Sequence, residues 1–264
     1  MQALFLSLQT LLGPGDEVLL IEPFFDLYLG QIRLAGGTPV FVPLTTQDDG
    51  SWRMDMDMLS SKITPRTRCI ILNSPHNPSG KVFTRKEMEA LAQIVRENPR
   101  MCVISDEVYK YIVHTPASVD GCETLGSQGH VHFAKLPGMW DRTITVSSAG
   151  KTFSVTGWQV GWAIGPANLI RDMQTLLPYV QFCAATPMQE SLVRCLKRAD
   201  QVNVRREHIL VVRGHILVVR EHILAREHIL AREHPVRCLK PKPLVREHAG
   251  VRGPLSQARS SGKT

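Results

Sequence analysis

Three short stretches, in fixed order along the chain, carry polar residues of the kinds a carbonyl-bearing ligand would need. NSPHNPSG (73–80) sets Asn77 between Pro75 and Pro78, and a proline-stiffened loop can hold an amide in one orientation. SDEVY (105–109) puts Asp106 at the end of the apolar run MCVIS, with Tyr109 three residues on. A carboxylate at a buried strand end needs a cation or a hydrogen-bond donor, since desolvation otherwise drives it neutral. In SSAGKTFSVTGWQVGW (147–162), Lys151 follows an apolar run and a Ser-Ala-Gly turn. An amine placed there can lose its proton and attack an aldehyde. Taken singly, each stretch also has a plainer reading: a Pro-Gly turn, a carboxylate capping the next turn, a solvated surface lysine.

The elements that must position these residues are written in the apolar pattern. Runs rich in β-branched residues recur at 17–23, 38–44, 68–75, 101–107, 142–148 and 160–166. Their near-continuous apolarity predicts strands covered on both faces. Helical patterns fall between them at 2–12, 25–35, 55–62, 84–97 and 167–182, with Thr84 and Glu87 spaced as a capping box. The alternation predicts an α/β fold with a mostly parallel sheet flanked by helices. Ligands of such folds bind beyond the carboxyl ends of the strands, which is where all three stretches lie.

Residues 1–190 are expected to form one domain, and 191–264 a low-complexity basic tail, helical or disordered. The tail repeats an R-x-H-I-L unit, first every seven residues and then every six, and VRCLK occurs at both 193–197 and 236–240. Two readings stay open, an amphipathic basic helix and an unconstrained sequence from repeat expansion. The shift of period would rotate an Ile-Leu stripe around a helix and favours the second. The formal net charge of +7 belongs to this tail, where residues 193–264 hold 16 Lys and Arg against 6 acids. Nucleic acid is disfavoured as a partner, because no aromatic residues interleave the basic ones.

No metal is expected, because the tail histidines lack the i, i+4 pairing that sets two imidazoles together on a helix. Six scattered cysteines without CxxC spacing point to free thiols in a reducing compartment. MQALFLSLQTLL lacks the basic flank and cleavage site of a signal peptide and is read as a helix. No apolar stretch is long enough to span a bilayer, so no membrane is expected as a partner.

In this order the motifs NxPxNPxG, DEVY and SxxKxFxxTGWxxGW resemble the fold-type I aminotransferases that use pyridoxal 5′-phosphate. Within them, IEPFFDLY, AGGTPVFVPL, NSPHNPSGKVF, LPGMWDRT and SAGKTFSVTGW look like the kynurenine aminotransferase and cysteine-S-conjugate β-lyase group. The resemblance covers residues 1 to about 190. It implies that Lys151 is the Schiff-base lysine and the general base and acid that moves the substrate proton. It implies that Asp106 pairs with the pyridine nitrogen, and that Asn77 and Tyr109 bond the ring's phenolic oxygen. Asn77 would also border the substrate, Phe25 would stack on the ring face, and Ser148 would bind the phosphate. The Asn77–Pro78 bond is expected to be cis.

The resemblance further implies an amino acid and a 2-oxo acid as substrates, β-lyase side activity, a homodimer, and a cytoplasmic location, or a mitochondrial one if a leader precedes the chain. The chain departs from the pattern in three places. It begins at the helix that follows the family's phosphate loop, and the tail stands where the small domain and its carboxylate-binding arginine would be. Gln159 occupies a slot that is lysine or arginine in the family, and reads equally as a weakened phosphate ligand or a plain strand residue. The expectation is therefore a transaminase impaired in this form, with an inactive remnant that pairs with a full-length relative as the alternative.

Overall fold

The computed structural model describes residues 1–113 and 129–198, together with the backbone of two short strands between 210 and 217. The chain divides into two units, Met1–His208 and Ile209–Thr264. The first holds a seven-stranded sheet of order β3-β2-β1-β4-β5-β6-β7. Its strands are β1 (Glu17–Glu22), β2 (Thr38–Thr46), β3 (Trp52–Met54), β4 (Thr67–Asn73), β5 (Cys102–Asp106), β6 (Thr143–Ser148) and β7 (Gly161–Ile164). The pairs β1–β2, β1–β4, β4–β5 and β5–β6 are parallel, while β2–β3 and β6–β7 at the two margins are antiparallel.

Six of the strands lie where the apolar runs predict them; the expected cover on both faces holds for β1, β4, β5 and β6 but not for the marginal β7, which has no buried residue, nor fully for β2. Side chains alternate between two buried layers: Leu19, Ile21, Ile70, Leu72 and Val103 face one, and Val18, Leu20, Cys69, Ile71, Cys102 and Ile104 the other. Each fully buried aliphatic side chain contributes about 1.5–3 kcal/mol. The strand β3 was not anticipated, being three residues long and too short to show a period of two.

The first layer is covered by α3 (Met56–Ser61) and α4 (Arg85–Glu97), the second by α1 (Gln2–Leu11), α2 (Leu27–Leu34) and α6 (Ala167–Val180). The capping box at α4 is formed: the Glu87 amide donates to Thr84 Oγ1 at 3.2 Å, and the Thr84 amide donates to Glu87 Oε2 at 2.8 Å. Helix α2 starts two residues later than expected, because Phe24 and Phe25 pack against the second layer before the helical turn begins. A four-residue turn, α5 (Ala149–Thr152), and α7 (Thr186–Lys197) were not foreseen. Helix α7 takes Pro187 in its first turn and runs through position 190, where composition alone set the start of the tail.

In the second unit β8 (Leu210–Val212) pairs antiparallel with β9 (His215–Leu217), where a helix or disorder was expected. Both segments are rich in β-branched or bulky aliphatic residues that suit a strand. The remaining tail lies outside the described residues. Among those described, no helix is long and apolar enough to cross a membrane, and Cys69, Cys102, Cys183 and Cys195 are free thiols.

Candidate active site

The carboxyl ends of β4 and β5 are stitched together by one amide. Asn73, the last residue of β4, lies opposite Asp106 in the register. Its Nδ2 donates to the Asp106 carbonyl at 2.9 Å, and its Oδ1 accepts from the Asn77 amide at 2.7 Å. The Ser74 amide also donates to the Asp106 carbonyl. The NSPHNPSG loop is thus fixed against the end of β5, with Ser74–Pro75 and Asn77–Pro78 both cis. From that loop Asn77 Nδ2 donates to the Tyr109 hydroxyl at 3.4 Å, so two expected ligand-binding residues meet directly.

Within the same loop His76 is buried, its Nδ1 lies 2.7 Å from Ser79 Oγ, and its ring stands edge-on to Phe83. Burial first, and Lys81 second, lower its pKa to about 4.

Asp106 is 8% exposed and its two carboxylate oxygens are held separately. The Tyr28 hydroxyl donates to Oδ2 at 2.6 Å, and the Val108 amide donates to Oδ1 at 3.2 Å. Burial pushes the Asp106 pKa up, and these two donors work against that rise. Burial first, and the Asp106 carboxylate second, raise the Tyr28 pKa well above the ordinary value, so it stays a donor to its partner. Burial and Asp106 also raise Tyr109, with Asn77 opposing. Phe25 lies three residues before Tyr28, just ahead of α2, their rings edge-to-face with centroids 5.6 Å apart. Tyr28 and Asn73 were missed in the sequence. The one signal for Tyr28 was its i+3 spacing from Phe25, and its partner is 78 residues away.

The lysine stretch follows β6. Val146 pairs with Asp106 across the sheet, and Ser148, two residues on, pairs with Gly161 and opens α5, which carries Lys151. Ser148 and Lys151 are half-buried. The flanking hydroxyls of Ser147 and Thr152 are buried, and neither makes a hydrogen bond among the described residues. Gln159 is not a strand residue. It ends a short 3-10 turn at φ 53°, in the left-handed region, and its Nε2 donates to the Thr156 carbonyl at 2.7 Å. Its side chain is exposed, with one amide hydrogen committed to its own turn, so of the two readings the strand residue is ruled out.

A further polar cluster escaped the sequence reading. Glu107 is buried beside His130 and His132, whose ring nitrogens lie 3.1 and 2.5 Å from its Oε2. Burial works to raise the Glu107 pKa, but the two imidazoles overcome it and hold it at about 2. The signal available was the i, i+2 spacing of the histidines, which puts both on one side of an extended segment.

The residues fit pyridoxal phosphate on an observation independent of any motif. A carboxylate offers about four lone-pair positions, and Asp106 uses one donor per oxygen, so capacity remains for a protonated ring nitrogen. The Asn77–Tyr109 pair supplies polar hydrogens nearby.

Comparison with known proteins agrees. The family model for aminotransferase class I and II matches residues 1–218. The chain is 46% identical to kynurenine–oxoglutarate transaminase 3 of Mus musculus over 75% of this chain and 43% of the relative. It is 42% identical to kynurenine–oxoglutarate transaminase of Dictyostelium discoideum over 75% of this chain and 46% of the relative. It therefore spans less than half the length of these curated relatives. Among solved structures, N-succinyldiaminopimelate aminotransferase from Mycobacterium tuberculosis superposes with a TM-score of 0.70 at 35% identity, covering 88% of this chain and 53% of that one. The aromatic aminotransferase from Pyrococcus horikoshii OT3 gives 0.68 at 33% identity, covering 88% and 55%. With the family model matching residues 1–218 and the sheet and three motifs lying within that span, this chain belongs to the class I and II aminotransferases, a family that works with pyridoxal 5′-phosphate.

Proposed function

We propose that this chain is the cofactor-binding part of a transaminase that moves the amino group of an amino acid onto a 2-oxo acid. The observation that carries the reading is the buried Tyr28–Asp106 pair set beside the Asn77–Tyr109 pair at adjoining strand ends. When bound, the cofactor supplies an aldehyde and an electron-withdrawing pyridinium ring that stabilises negative charge at the substrate's Cα. Everything else falls to the chain. Lys151 provides the amine that holds the cofactor, and afterwards takes and returns the Cα proton. Asp106, whose carboxylate accepts from Tyr28 and the Val108 amide, pairs with the ring nitrogen and favours its protonated form. Asn77 and Tyr109 orient the phenolic oxygen, Asn77 borders the substrate, Phe25 covers one ring face, and Ser148 binds the phosphate.

The relatives' names favour kynurenine or another aromatic or sulfur-containing amino acid as donor, with glutamine and β-lyase chemistry as further candidates. Reduced activity in this form is supported by Gln159, whose amide is engaged in its own turn. A homodimer is supported by the apolar residues left open on α6 and α7 and the connection between them, where Tyr179 is 86%, Phe182 78% and Leu196 52% exposed.

The test is to mix the full chain with pyridoxal phosphate, reduce it with borohydride, and map the modified peptide by mass spectrometry. A mass increment on Lys151 is expected. An unmodified chain, or one labelled equally in Lys151→Ala, overturns the reading.

A further inference from the structure

Immediately after Asp106 the chain builds a second polar centre that the transamination chemistry does not use. Glu107 is 1% exposed at its side chain, and its Oε2 faces His130 Nε2 at 3.1 Å and His132 Nδ1 at 2.5 Å. Its other oxygen, Oε1, accepts from Ser105 Oγ at 3.1 Å. The two imidazole rings stand nearly perpendicular, their centroids 4.8 Å apart. All three donor atoms lie within 4.8 Å of one another.

His130 is the telling member. Its side chain is 0% exposed, and neither ring nitrogen makes a hydrogen bond among the described residues, although Nε2 is within 3.1 Å of the carboxylate. A buried imidazole with an unpaired nitrogen and another only loosely aimed at its partner carries a cost of about 1–3 kcal/mol per unsatisfied group, which native interiors rarely leave without a ligand or water to offset it. The distance suits a hydrogen bond, yet the direction does not.

We propose that Glu107, His130 and His132 form a binding site for a divalent transition metal of the zinc class. Two imidazoles and one carboxylate are a donor set that zinc and cobalt accept, and three protein ligands leave a fourth position for solvent. Ligands at about 2.0–2.2 Å from a tetrahedral ion sit roughly 3.3 Å from one another, close to the His130–Glu107 separation. His132 withdraws by about 1 Å on loading. It is the ring with room to do so, being 28% exposed, and it also opens the path by which the ion enters. Ser105 supplies the outer hydrogen bond that orients the carboxylate. To ligate, each neutral imidazole presents the lone pair of the nitrogen nearer Glu107 and carries its proton on the other ring nitrogen. Once loaded, the ion ties the residue after Asp106 to the segment 130–132 and so braces the end of β5. This site requires no pyridoxal phosphate, and its test is independent of the transaminase reading.

The probe is cobalt(II) added to the full chain without cofactor. One equivalent is expected to give the intense visible absorption of four-coordinate cobalt, displaced by zinc. His132→Ser, which alters a partly exposed ring, is expected to weaken binding at least ~100-fold, and His130→Asn to abolish the band. A chain whose six tail histidines (His208, His215, His222, His228, His234, His248) are all asparagine keeps it. Zinc is expected to raise the melting temperature of wild type and not of His132→Ser, which keeps the answer clear if His130→Asn misfolds. Absence of the four-coordinate band in wild type, its survival in His132→Ser, or its loss with the tail histidines overturns the site.

Discussion

The ends of β4 and β5 and the connection from β6 to β7 border the same edge of the sheet, yet they are held in opposite ways. At β4 and β5, Asn73 and Asp106 are 2% and 8% exposed, and hydrogen bonds from Tyr28, Val108, Asn73 and Ser74 converge on Asp106 alone. Between β6 and β7, Ser154, Thr156, Gly157 and Gln159 are exposed, and Ser154 and Gln159 take left-handed backbone angles of 58° and 53°. The contrast teaches that recognition of the cofactor's ring is built into the folded chain. The lysine side instead rests on short backbone turns over a small apolar cluster of Ala149, Phe153 and Val160, and turns its polar side chains to solvent.

The largest test of that contrast is Lys151→Ala, which is expected to remove the borohydride-fixed adduct completely, as read by mass spectrometry. Asn73→Ala strikes the knitted half. It strands the Asn77 amide and removes a donor from the Asp106 carbonyl, so a loss of about 2–4 kcal/mol is expected from urea unfolding. A loss under about 0.5 kcal/mol would erase the distinction between the two regions.

Next comes pH, through His76. Its folded pKa of about 4 lies below the unfolded value of 6.5, so protonation favours the unfolded chain. Its contribution is intact above pH 6.5 and is lost as pH falls toward 4. The stability advantage of wild type over His76→Gln at pH 7 should shrink by about 3 kcal/mol at pH 4. A constant gap would remove the loop from the rigid half.

Tyr28→Phe deletes one charge-assisted bond, worth about 1.5–3 kcal/mol. A roughly tenfold weaker affinity for pyridoxal phosphate is expected with the fold retained. Unchanged affinity would mean that Asp106 needs no holder. The smallest effect concerns the open half: Gln159→Lys should raise affinity for pyridoxal phosphate roughly fivefold, about 1 kcal/mol, and leave that for unphosphorylated pyridoxal unchanged. An equal gain for both ligands would place the phosphate elsewhere.

What could be read in the sequence follows from what is local. Strands buried on both faces write themselves as continuous apolar runs, so β1, β4, β5 and β6 were legible; β2 and β7 were found by the same apolar runs although they are less covered, and Thr84 with Glu87 announced α4. Asn77, Asp106, Tyr109 and Lys151 could be singled out as candidates because each sits in a short motif with unusual neighbours. Tyr28 and Asn73 could not, because their meaning lies in contacts across 78 and 33 residues that no local pattern records. The Glu107 cluster joins residues 25 apart in the same way. Gln159 was visible as an odd residue, but only its backbone angle and its bond to Thr156 show where its amide is used.

The strand order has one more consequence, for how the site comes into being. Starting from β1, the sheet grows leftward through β2 and β3 and rightward through β4, β5, β6 and β7, each strand adding outside those before it in sequence. No strand has to be threaded between two others, which suits a chain emerging from the ribosome N-terminus first. Tyr28 can therefore meet Asp106 before Lys151 has been synthesised. The reactive amine is added last, to a pocket whose electronic partner is already in place.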